Sequence, residues 1–181
     1  MPNIPTVNPA GTDAATQQTL NALKAKLGVL PNMFLTLANA PAALQAYVAL
    51  SGALSSGKLT AKNREQIALA VGQQNQCGYC VAAHTVIGGM VKLSADEIRQ
   101  ARAATAPNAR DAALIGLAKR ITETQGVLDA GELAQAKAAG VTDADVLEVI
   151  GNVALNIFTN YVNHIAATEI DFPVVDLKAA A

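Results

Sequence analysis

The stretch "EQIALAVGQQNQCGYCVAAH", residues 65–84, decides how this chain is read. Both cysteines of the protein, Cys77 and Cys80, lie in it, together with one of its two histidines, His84. If a helix begins near Gln76, these three side chains stand at i, i+3 and i+7 and share one face. His84 is then one turn beyond Cys80, and side chains four residues apart touch, so the imidazole should act on Cys80 first. Glu65 opens the preceding apolar segment. In one continuous helix it would lie about 18 Å from Cys77, but the polar run "GQQNQ" permits a break that folds the two segments together.

Those residue types in that pattern point to thiol redox chemistry. Orphan backbone N–H groups at a helix start favour a thiolate, as in other Cys-x-x-Cys helices. A thiolate with a general base nearby can attack an O–O bond to give a sulfenic acid, and a second thiol one turn away condenses with it to a disulfide. A carboxylate that orients and polarises the imidazole completes the set, and Glu65 is the candidate for that place.

Working outward, 181 residues suit one domain with a core that needs no disulfide or metal as a staple. The formal net charge is −1 and the pI about 6.1, without a Lys/Arg cluster. The expectation is therefore no nucleic-acid partner. The first residues, "MPNIPTVNPAGTDAA", have neither a basic nor a continuous apolar region of the secretory kind. No run approaches a membrane span, so a soluble cytoplasmic protein is expected. In that compartment a close cysteine pair is more often catalytic or metal-binding than a static bridge. Hydrophobic residues make up 51%, much of it alanine, at a mean hydropathy of only +0.27. Abundant alanine without β-branched alternation points to an all-α fold.

Helix signals run along the whole chain. Residues 1–12, with Pro2, Pro5 and Pro9, read as an extended N-terminal arm, residues 13–175 as one helical domain and residues 176–181 as a short tail. Pro41 suits a first helical position. Thr60 is a helix cap, Ser94 with Glu97 forms a capping box, and Asp129 with Glu132 and Thr142 with Asp145 repeat the spacing. Gly126 and Gly140 mark stops. The last helix is expected from Asp143 to Glu169, with Val146, Ile150, Val153, Ile157, Tyr161 and Ile165 as its apolar stripe. Aligning Glu65 with Glu148 places Cys77 and Cys80 on Asn160 and Asn163, a faint internal echo of two helical segments.

Glu65, eleven residues, then Cys77-x-x-Cys80-x-x-x-His84 resembles the core motif of the alkylhydroperoxidase D-like proteins in the carboxymuconolactone decarboxylase superfamily. The ending "NIFTNYVNHIAATEIDFP" is similar to that of the peroxidase-related branch, and the resemblance spans roughly residues 30–175. It implies an all-helical bundle assembled as trimers or hexamers. It further implies Cys80 as the peroxidatic thiol, Cys77 as the resolving thiol, and Glu65 with His84 as the proton relay. No bound cofactor is implied. The substrate would be a small hydroperoxide, and an external dithiol of the lipoyl type, on a carrier protein or as a small thiol, would be the reductant. The family pattern has a histidine before the second cysteine where this chain has Tyr79, which bears on efficiency and substrate.

Plainer readings stand beside this one. The cysteines could be two buried small hydrophobes, or Cys77, Cys80, His84 and His164 could form a Cys2His2 zinc site in a non-enzymatic helical oligomer. Glu65 could be a surface partner of Lys62 or Arg64. With Glu65 and His84 alone, an acid/base enzyme of the carboxymuconolactone decarboxylase type is a third reading. His164 reads as a hydrogen-bonded core or interface residue, and Tyr47 and Tyr79 as half-buried packing. Asn156, Asn160 and Asn163 read as a polar seam near the site or between subunits, since buried amides need partners.

Overall fold

The computed structural model describes residues 1–180 as an all-helical chain with no strand among them. The helices are α1 (Ala14–Leu27), α2 (Asn32–Leu37), α3 (Pro41–Ser55), α4 (Ala61–Gln74), α5 (Gly78–Met90), α6 (Ala95–Arg102), α7 (Ala109–Thr124), α8 (Ala130–Ala138) and α9 (Asp143–Ala166). Their starts lie where the capping residues predict. Thr60, Ser94, Asp129 and Thr142 each accept a hydrogen bond from a backbone N–H three residues on, and each is completed as a capping box. At Thr60 the return partner is Asn63, an amide rather than an acid. Gly28, Gly126 and Gly140 all have positive φ beyond helix ends.

α4 is the hub. Its residues Gln66 to Gly72 are all buried, with α5, α6, α7 and α9 packed around it. Ile67 and Val71 join Leu114, Leu117, Ala118, Val149 and Val153 in one core, while Leu69 and Ala70 meet Leu93, Ala101 and Ile115 in another. A third core holds Leu20, Phe34, Leu37 and Leu44, and Cys77, Tyr79, Cys80 and Ala83 belong to it.

The N-terminal arm is extended except for a short 3-10 turn at Pro9–Gly11. It lies against the body, with the Asn3 and Ile4 amides donating to the Ala166 carbonyl and Val7 N–H to the Leu35 carbonyl. In the tail, the Leu177 carbonyl accepts from Gln73 Nε2 at 2.8 Å and the Asp176 carbonyl from Arg102. Ala181 lies outside the described residues. No helix is long and apolar enough to cross a membrane among the described residues.

α9 departs from the expectation in two ways. It ends at Ala166 rather than Glu169, because Ala167 takes the left-handed conformation (φ +50°) and turns the chain toward α5. Its buried face matches the expected stripe only in part: Val153 is buried, and Val146 and Ile157 pack against the same core. Ile150, Tyr161 and Ile165 are 45%, 54% and 66% exposed, whereas Asn152, Asn156, Asn160 and Asn163 are all buried. The helix is apolar on more than one side, so periodicity alone gave a stripe of which only half faces the core. Two of the amides find partners within the helix: Asn152 Nδ2 donates to the Glu148 carbonyl and Asn156 Nδ2 to the Asn152 carbonyl, both at 2.8 Å. Glu148 itself accepts from the Lys58 and Leu59 amides at 2.8 and 2.9 Å, so its role differs from that of Glu65, with which the internal echo aligns it.

If α4 organises the core, Ile67→Ala, which empties a fully buried site, lowers unfolding free energy by about 2–5 kcal/mol in a urea titration. A loss below about 1 kcal/mol would contradict that placement.

Candidate active site

The break permitted by "GQQNQ" is present. α4 ends at Gln74, Asn75 caps it, and Gln76 takes φ +55° before Cys77 caps α5. The turn is closed by Cys77 N–H donating to the Gly72 carbonyl at 2.9 Å and by Gln76 Nε2 donating to the Gln73 carbonyl at 2.9 Å. The two helices pack directly at Gly72: a Cβ there would lie in van der Waals contact, 3.4 Å from Cys80 Cβ and from Val81 Cγ2.

The fold-back brings Glu65 Oε2 to 2.7 Å from His84 Nδ1. Lys62 pairs with Glu97 instead, and Arg64 donates to the Leu59 carbonyl, so neither is the partner of Glu65. Both side chains of the Glu65–His84 pair are only about one-fifth exposed, in an environment where a carboxylate–imidazole contact is strong.

Cys77 and Cys80 form a disulfide with a Cα–Cα distance of 5.2 Å, inside the usual range for such bridges. Cys77 is fully buried and Cys80 is 2% exposed, so solvent meets the site at the Glu65–His84 edge rather than at the sulfurs. Cys77 Sγ accepts from the Cys80 backbone N–H at 3.3 Å, the contact of an N-capping side chain. From α9, Asn163 Nδ2 approaches Cys80 Sγ at 3.3 Å, and Asn160 Oδ1 accepts from Asn75 Nδ2 at 2.8 Å. The polar seam read from the sequence thus runs beside the cysteine helix. No pairwise signal for the Asn163–Cys80 contact exists in the sequence, because 83 residues separate the two.

Tyr79, between the cysteines, belongs to a separate network. Its hydroxyl donates to Asp171 Oδ1 at 2.8 Å and accepts from the Met33 N–H at 3.1 Å. Asp171 Oδ2 also accepts from the Asn32 N–H at the start of α2. Phe172 packs edge-on against the Tyr79 ring at 5.7 Å, and Ile170 lies over Gly78. Burial, opposed by the Met33 N–H and reinforced by Asp171, pushes the phenol far above its ordinary pKa. Tyr79 is buried, not half-buried as expected, because the C-terminal segment covers it. Asp171 is a partner the sequence did not disclose.

Tyr47 is half-buried, as expected, and stacks edge-on against Phe34 at 5.3 Å. Burial raises its pKa; a hydrogen bond with Ser51 opposes this and the nearby Glu65 carboxylate adds to it. A neutral phenol therefore stands beside the Glu65–His84 pair. His164 is exposed on α9 rather than in a core. The Cys2His2 set is not assembled, and among the described residues no three His, Cys, Asp or Glu side chains gather as metal ligands.

Residues 41–124, from the start of α3 to the end of α7, match the model of the carboxymuconolactone decarboxylase family. No curated protein sequence matches the chain. Among solved structures it is similar to an uncharacterized peroxidase-related protein with an alkylhydroperoxidase AhpD core from Ralstonia eutropha JMP134. The two are 25% identical with a TM-score of 0.84, over 94% of this chain and 92% of that one. An uncharacterized peroxidase-related protein from Silicibacter sp. TM1040 shares the fold at 22% identity and TM-score 0.81, over 92% of this chain and 89% of that one. So does the debrominase Bmp8, at 17% identity and TM-score 0.80, over 98% and 95%. Residues 41–124 thus carry the carboxymuconolactone decarboxylase family pattern, and the fold of the whole chain is similar to that of the alkylhydroperoxidase D-like proteins.

Since the Tyr79 hydroxyl bridges Met33 and Asp171 and does not touch the Glu65–His84 pair, Tyr79→Phe should cost about 1–3 kcal/mol of stability. It should leave the alkylation rate of the reduced cysteines unchanged. Slowed alkylation at unchanged stability would place Tyr79 in the site instead.

Proposed function

We propose that this protein is a thiol-dependent hydroperoxide reductase, a dithiol-disulfide oxidoreductase whose oxidant is a small hydroperoxide. The observation that carries the reading is the Cys77–Cys80 disulfide on the helix whose His84 meets Glu65 at 2.7 Å.

In the reduced protein, the Cys80 thiolate attacks the terminal peroxide oxygen. The O–O bond breaks, the alkoxide leaving group takes a proton from His84, and Cys80 becomes a sulfenic acid. Glu65 holds the imidazole through Nδ1 and fixes its orientation, as the third group of a triad does. Cys77 then gives its thiol proton to the now neutral His84 and attacks the Cys80 sulfur; the S–O bond breaks, the departing hydroxide takes that proton from His84 to leave as water, and the disulfide forms. An external dithiol of the lipoyl type reduces the pair, is itself oxidised to a cyclic disulfide, and restores both thiols. His84 one turn beyond Cys80 supports Cys80 as the attacking sulfur, and Cys77 at the helix cap is then the resolving one. The cytoplasm, where dithiol carriers are kept reduced, is the compartment that fits this cycle.

Steady-state turnover of cumene hydroperoxide with dihydrolipoamide tests the reading. Cys80→Ser should abolish it, and Cys77→Ser should leave a sulfenate on Cys80 after one turnover. Full activity in Cys80→Ser, or a stable sulfenate on Cys77, would overturn the proposal or the assignment of the two sulfurs. Glu65→Gln keeps the shape but not the charge, and should lower kcat/KM by about 10²–10⁴.

We also propose a homo-oligomer, a trimer or hexamer. Its support is the exposed row of Ile150, Tyr161 and Ile165 on α9. Beside it lies an apolar groove of about 380 Å³ lined by Leu37, Ala40, Phe158, Tyr161, Val162 and Ile165 among others. A patch of this kind is more often covered than left in water. Sedimentation should give a multiple of the chain mass, and Ile165→Glu should lower it; a wild-type monomer at micromolar concentration would contradict this.

A further inference from the structure

Cys80 lies against one polar side chain from outside its own helix pair. Asn163 is 4% exposed and its Nδ2 is 3.3 Å from Cys80 Sγ, while its Oδ1 has no hydrogen-bond partner among the described residues. One turn before it, Asn160 is fully buried and its Nδ2 is also without a partner. A buried amide left half-satisfied is costly, and packing alone would be served by leucine at the same volume. The sulfur it faces is a weak acceptor while bonded in the disulfide. A thiolate at the same place is a full anion, and a donor to it makes a charge-assisted bond.

We propose that Asn163 is a positioning residue that holds Cys80 as a thiolate, through its carboxamide NH2, and so favours the dithiol over the disulfide. The inference rests on the reading of Cys80 as the attacking sulfur. Burial of Cys80 by itself disfavours the charged form, so the site needs donors. The α5 N-terminus supplies one set and Asn163 supplies another. The other groups that bear on the Cys80 charge are His84 and Cys77 beside it, Glu65 on α4 bound to His84, and Tyr47 on α3 beside Glu65. Tyr79 faces Asp171 of the C-terminal segment, and α9 presents only the neutral amides of Asn160 and Asn163, His164 being exposed. Stabilising the thiolate stabilises the reduced state, which makes the pair more readily reduced by a dithiol.

The test is the pH profile of iodoacetamide alkylation at Cys80 in the reduced protein, read on the peptide containing residues 77–84. It is paired with equilibration of the disulfide against mixtures of reduced and oxidised dithiothreitol. Asn163→Asp is isosteric but lacks the NH2 donor, and Asn163→Leu keeps the volume without polarity. In both, the apparent pKa of Cys80 should rise by about one unit or more, a roughly tenfold loss of thiolate below it, and the disulfide should become harder to reduce. Profiles and equilibria equal to wild type in either folded variant would overturn the proposal. If neither variant folds, the wild type still decides: the Asn163 side-chain amide resonances should shift in the pH window where Cys80 becomes reactive, and fixed resonances overturn it. Neither readout uses a hydroperoxide. An inactive wild type with these shifts present would therefore refute the peroxidase reading and keep this one, and activity without the shifts would do the reverse.

Discussion

The site depends on one break in the backbone. Gln76 is held at φ +55°, a left-handed conformation that costs a non-glycine residue about 1–2 kcal/mol, and the turn around it is closed by Cys77 N–H bonding back to the Gly72 carbonyl. Straightened into one helix, α4 and α5 would separate Glu65 from His84 along the axis by far more than a hydrogen bond. Folded at Gln76, they meet at 2.7 Å. The close approach at Gly72 and the docking of Asn75 on Asn160 hold the same hinge from its two sides.

That geometry divides the chemistry spatially. The two sulfurs lie in an apolar core with Leu20, Phe34 and Leu44, and the Glu65–His84 pair lies at the margin where water reaches. Burial raises the cost of a thiolate; in the proposed cycle the helix start, the imidazole and the α9 amide would act together against that cost. The C-terminal segment closes the other side: Asp171 ties the Tyr79 hydroxyl to the start of α2, and Phe172 and Ile170 cover the first turn of α5. Tyr79 is thereby committed to holding the segment in place.

Much of this was legible in the sequence because it is local. Thr60, Ser94, Asp129 and Thr142 announce helix starts by chemistry confined to four residues, and Cys77, Cys80 and His84 lie within two turns of each other. The Glu65–His84 contact was legible only as a possibility, since spacing permits the fold-back without requiring it. The failures are all long-range. The buried face of α9 was read only in part: Val146, Val153 and Ile157 meet the core, but Ile150, Tyr161 and Ile165 are as apolar and stay exposed, and only the positions of α4 and α5 decide that the asparagines face inward. Asp171 and Asn163 gained their partners from helices far away in the chain, where periodicity carries no information.

The most direct test of the account is to mix the reduced protein with slightly less than one equivalent of cumene hydroperoxide and follow the peptide containing residues 77–84 by mass spectrometry. The account predicts a Cys77–Cys80 disulfide that forms much faster than a free thiol control is oxidised. Oxidation no faster than that control would contradict it, because the hinge at Gln76 would then have assembled a carboxylate, an imidazole and two thiols without making a reactive sulfur.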